Sequence, residues 1–102
     1  MASRLNLHEE LIDILGNDRV YFQPPENILL KYPCIVYQLN TENSYYANNF
    51  TYLLKKQYAI TAITTDPDSD LKERIIMHFP LSRFNRHFVS DGLYHDVINV
   101  YY

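Results

Sequence analysis

Apolar residues in the segment 6–15 recur at helical spacing. Leu7, Leu11, Ile14 and Leu15 share one face, and Glu9, Glu10 and Asp13 take the other. Asn6 stands where a cap belongs, with Glu9 three residues on, and Gly16 supplies a stop. The period then shortens to two. Val20 and Phe22 alternate within 19–23, and Pro24-Pro25 ends that strand because neither residue can donate to a ladder. Residues 26–32 read as a loop that packs Ile28, Leu29 and Leu30 against the body. In 33–39, Cys34 and Val36 face one way and Ile35, Tyr37 and Leu39 the other. Both sides are apolar, which predicts a strand inside the sheet.

Residues 40–49 are polar and show no apolar period, so they form a projecting connection. The longest strand signal follows over 50–64. Phe50, Tyr52, Leu54, Tyr58, Ile60 and Ala62 hold the even positions, while Thr51, Lys55, Gln57 and Thr61 make the other face wetter. Lys56 interrupts the series and marks a bulge or a point where the strand leaves the core. Asp66 as cap and Pro67 at the first position predict a helix over 67–79, with Leu71, Ile75 and Phe79 at four-residue steps and Pro80 as its end.

Residues 84–89 and 94–102 pair as a closing hairpin. A two-residue Asp91-Gly92 loop would set Phe84 opposite Asn99 and Phe88 opposite His95. A three-residue loop, Asp91-Gly92-Leu93, would set Phe84 opposite Val100 and Arg86 opposite Ile98, gathering Phe84, Phe88, Ile98 and Val100 on one face. The second register is preferred for that reason. The expected fold is α+β in the order α-β-β-β-α-β-β: a mixed or mainly antiparallel sheet of about four or five strands with both helices on one face. Residues 1–102 make one domain, large enough to bury roughly 65% of the surface its unfolded chain exposes.

Composition narrows the function. Apolar residues at 47% and charged residues at 21% fit a packed domain. The net charge is −3, and the excess of acid lies in the first half, so no basic surface for phosphate neutralisation is expected. Arg83, Arg86 and His87 are the one basic cluster. A single cysteine excludes an internal disulfide and a four-cysteine zinc site. The first ten residues lack the apolar run of a signal peptide, and no stretch approaches a membrane helix. Two glycines leave no phosphate-cradling loop, and ten tyrosines supply rigid, amphipathic contact area.

No catalytic set emerges. His87 and His95 lie on one hairpin without ligand spacing, Cys34 sits within an apolar strand, and Asp66, Asp68 and Asp70 suit helix capping better than a cation. Neither a cofactor nor a metal is expected. The better candidate is the loop 40–49, longer than a simple connection needs and bearing Tyr45 and Tyr46. Tyr45, Tyr46, Asn48 and Asn49 are the expected contact residues for a protein partner, with Arg83 and Arg86 second.

Tyr21-Phe22-Gln23-Pro24-Pro25-Glu26 and Lys31-Tyr32-Pro33-Cys34-Ile35-Val36-Tyr37 resemble the small tail completion, or tail terminator, proteins of long-tailed bacteriophages. The likeness continues through Tyr58-Ala59-Ile60-Thr61, Asp66-Pro67-Asp68-Ser69 and Phe84-Asn85-Arg86-His87-Phe88-Val89 to Tyr101-Tyr102. It implies a virion component, assembled in the host cytoplasm, that forms a ring, usually a hexamer, at the head-proximal end of the tail tube. Such a ring stops tube polymerisation, meets the tail tube protein on one side and a head connector on the other, and lets DNA pass without binding it. It is no enzyme. The alternatives are a head-closure or other neck ring protein and, from another class, a small cytoplasmic enzyme or ligand-binding module with a pocket around His87 and His95.

Overall fold

The strand 34–39 is apolar on both sides because it lies inside the sheet, flanked on either hand. In the computed structural model, residues 4–25, 29–40 and 56–102 are described. Their elements are α1 (Arg4–Leu15), β1 (Val20–Phe22), β2 (Cys34–Leu39), β3 (Gln57–Thr64), α2 (Leu71–His78), β4 (Ser82–Ser90) and β5 (Leu93–Tyr101). The strands lie in the order β1-β2-β3-β5-β4, with β1 parallel to β2 and every other pair antiparallel. The protein is thus α+β with a mixed five-stranded sheet, in the expected element order.

Period-two alternation decides which face is buried. Ile35 and Tyr37 of β2, Tyr58, Ile60 and Ala62 of β3, and Ile98 and Val100 of β5 point to one side. There they meet Leu7, Leu11, Ile14 and Leu15 of α1 and Leu71 and Ile75 of α2, with Phe79 just beyond it. Each such side chain, fully removed from water, contributes about 1.5–3 kcal/mol, and the two helical stripes are what make the sheet's inner face stable. Arg74 locks the helices together: Nη1 donates to the Ile14 carbonyl at 2.7 Å, a cation set on the open carbonyl end of α1, while Nε holds Asp70 at 3.1 Å.

Several boundaries move. Helix α1 begins at Arg4, so Asn6 lies within it and is not its cap. Gly16, at φ +86°, ends it with its N–H on the Ile12 carbonyl. Helix α2 begins at Leu71 because Asp66 spends its carboxylate on the Asp68 N–H, which closes a turn before the helix. Strand β3 begins at Gln57; Lys56 lies just outside it and exchanges two backbone hydrogen bonds with Tyr102. Its second face is drier than expected, with Gln57 and Ile63 both buried. Residues 50–55, the loop positions 41–49 and Ile28 lie outside the described residues.

The hairpin register is also corrected. Ser90 pairs with Leu93, so Asp91 and Gly92 form the two-residue loop, at φ +53° and +75°. Both residues take positive φ, the turn whose twist suits a right-handed ribbon. Phe84 nevertheless lies opposite Ile98, because a bulge between Phe84 and Arg86 absorbs one residue. Phe84 thereby reaches the helix side, where Lys72 Nζ sits 4.8 Å from its ring centroid. Phe88, opposite His95, goes to the other face and does not join Phe84, Ile98 and Val100.

Candidate functional site

Strand β4 is the outermost strand of the sheet, and eight of its nine residues are exposed. Among the described residues nothing pairs along its outer side. A free edge of this length presents unpaired backbone donors and acceptors and is a template for association. Its side chains fit that use. Phe84, Phe88 and Val89 are exposed apolar groups, at 41%, 37% and 56% of their full accessibility. Arg83 precedes Phe84, Arg86 stands between Phe84 and Phe88, and β4 carries no acid.

The bulge sorts these groups onto two faces. On the open face, the face without helices, Phe88 stacks on His95 with ring centroids 4.5 Å apart and planes 12° apart. Arg86 lays its guanidinium 5.3 Å from the Phe88 centroid. His95 is fixed from behind, its Nδ1–H donating to the Leu93 carbonyl at 3.1 Å. On the other face His87 donates from Nδ1 to Asp96 Oδ1 at 2.7 Å and stacks with Tyr94. The two histidines therefore diverge onto opposite faces of the hairpin. Among the described residues no three His, Cys, Asp or Glu side chains group as metal ligands.

A depression of about 440 Å³ lies on the open face, bordered by Gln38, Thr61, Asn85, Arg86, Phe88 and Asn99. Neither His87 nor His95 borders it. Asn99 Oδ1 and, nearby on the same face, Gln57 Oε1 are buried without a hydrogen-bond partner among the described residues. Cys34, on this face too, is fully buried, and burial pushes its thiol up to about 11 against the opposing charge of Arg19. It is packed as a small hydrophobe and is not a thiolate at neutral pH.

Of the expected contact residues, the structure places Arg83 and Arg86 on the exposed edge. Tyr45, Tyr46, Asn48 and Asn49 lie outside the described residues. Sequence reasoning overlooked Phe88 and Val89 as surface groups; Phe84 and Phe88 share parity, so alternation placed them on one face, and only the bulge between Phe84 and Arg86 separates them. It also overlooked a cluster on the helix side, where Glu10 accepts from His78 Nε2 at 2.7 Å and from the Tyr102 hydroxyl. A scan of protein-family models finds no match to this chain, and searches of curated proteins and of solved structures return none either.

Proposed function

We propose that this chain is a structural subunit that acts by assembly, as a tail terminator of a long-tailed phage. Copies close into a ring on the last ring of the tail tube, end its growth and present a joining surface to the head. The observation that carries this reading is the β4 edge, a nine-residue exposed strand with aromatic, aliphatic and cationic groups turned outward. Arg and aromatic residues together are the side chains that concentrate binding energy at protein contacts.

The sheet also has two unlike edges, short β1 on one side and long β4 on the other. Unlike edges favour a head-to-tail contact, in which one surface meets a different surface of the next copy, and such contacts close into rings. An overall charge of −3 keeps a channel through the ring from gripping DNA.

The test is made in the particle. Phage produced without this chain should carry tubes of irregular length that fail to join heads, and a labelled copy should appear as a ring at the head end of the tail. Label on the portal side of a connector instead would make it a head-closure protein. A chain absent from purified particles would refute both.

A further inference from the structure

We propose that the basic β4 edge of one copy docks on the outward side of α1 of the next copy; this rests on the ring reading and names its contact. The two surfaces lie at opposite ends of one sheet, α1 packing over β1 and β2 and β4 forming the far edge. Their chemistry is complementary. Strand β4 offers Arg83, Arg86 and exposed Phe88 on its open side, with exposed Val89 on the helix side of the same edge. Helix α1 offers Leu5, Glu9 and Asp13 at four-residue steps down its outer side, all exposed, with half-buried Ile12 beside them and exposed Asp18 beyond the helix. Each surface thus pairs charge of one sign with apolar area.

Among the described residues no ion pair takes up any of these charges, those of Glu9, Asp13, Asp18 and Arg83 included, and Arg86 meets only an aromatic face. The cations nearest α1 are engaged elsewhere than on Glu9 and Asp13: Arg4 on the Tyr37 hydroxyl and the Phe22 ring, Arg19 on the Pro33 carbonyl, Arg74 on the Ile14 carbonyl and Asp70, and His78 on Glu10. Pairing of β4 with β4 would bring arginines together and is disfavoured, so the acidic side of a second copy is the occupant. The nine residues of β4 reach about 30 Å, longer than the roughly 18 Å of a twelve-residue helix, so the strand can span α1 and reach Asp18.

A charge exchange tests this. Full chains carrying Arg83→Glu with Arg86→Glu, or Glu9→Lys with Asp13→Lys, are compared with the original by sedimentation and native mass spectrometry. All four side chains are exposed, and far-ultraviolet circular dichroism checks that each variant folds. Each pair alone should weaken self-association by roughly tenfold or more. An equimolar mixture of the two variants, and a chain carrying all four changes, should recover it. If the original assembles but neither combination recovers assembly, this contact is wrong while the ring reading stands. An original chain that stays monomeric at every concentration refutes the contact and the ring reading together.

Discussion

The hydroxyl of Tyr37 lies 2.7 Å from His8 Nδ1 and 3.1 Å from Arg4 Nη1, so a fully buried ring on β2 is pinned by two side chains of α1. Arginine only donates, so the phenol oxygen accepts from Arg4 and gives its own proton to His8. That arrangement needs a neutral imidazole. Burial first, then the Arg4 charge, lower the His8 pKa below 6.5, against an opposing pull from Glu9. A histidine with a lowered folded pKa lends stability that is whole above its unfolded value and is lost as pH falls through the folded one. Tyr37→Phe should therefore cost about 1 kcal/mol near neutrality. It should leave the loss of stability below about pH 6.5 in place, because burial and the Arg4 charge still lower the His8 pKa. Urea denaturation midpoints across that range measure both effects.

A second pH response belongs to Glu10. Burial would raise its pKa, but hydrogen bonds from Tyr102 and His78, with the His78 charge, outweigh burial and leave it below the usual carboxylate value. Tyr102 is pushed up to about 12 by burial and by the Glu10 carboxylate. A carboxylate with a lowered folded pKa stabilises above its unfolded value, near 4.5, and that contribution fades as pH drops through the folded value. The Glu10 side chain is more than a third exposed, so solvent screening keeps the effect below about 1 kcal/mol. Glu10→Gln should leave stability at neutral pH only slightly reduced and make the loss of stability in acid shallower. An unchanged acid limb in a pH titration of ellipticity would show that Glu10 carries none of it.

What the sequence disclosed and what it hid follow from range and parity. Periods of 3.6 and 2 placed Leu7, Leu11, Ile60 and Ile98 in the core, because burial repeats with the geometry of each element. The start of α2 was harder, since Asp66 can cap a helix or a turn and only the Asp68 N–H decides. In the hairpin, an extra loop residue would move Phe84 from Asn99 to Val100 and the bulge moves it to Ile98; either puts Phe84 on the buried face, so apolar pattern could not separate them. Arg83 and Arg86 were legible as exposed cations. Glu10 with His78 and Tyr102 was not, because partners 68 and 92 residues apart leave no local mark.

Gly92 sits in the turn at φ +75° with nothing within 4 Å of where a Cβ would stand. Crowding therefore plays no part, and only backbone preference opposes a side chain there. Gly92→Ala should cost about 1–2 kcal/mol through that preference alone. Gly92→Asn should cost less, since asparagine tolerates positive φ. Thermal midpoints of the two variants, taken in the same buffer, test the order; equal losses would mean that the turn had changed type.

Core and edge should respond oppositely to substitution. Ile98 is fully buried between β3 and β4 under the helices, and Ile98→Ala opens a cavity that should cost about 2–5 kcal/mol. Val89, near the hairpin tip, is 56% exposed and supports little of the fold. Val89→Lys should change stability by no more than about 0.5 kcal/mol. A lysine there nevertheless puts a hydrated charge where Val89 would bury apolar area against Leu5 and Ile12 of the next copy's α1. The Val89→Lys chain should thus unfold at the original denaturant concentration while sedimenting as a smaller species. A variant that unfolds early but assembles normally would place Val89 in the core's service and remove it from the contact.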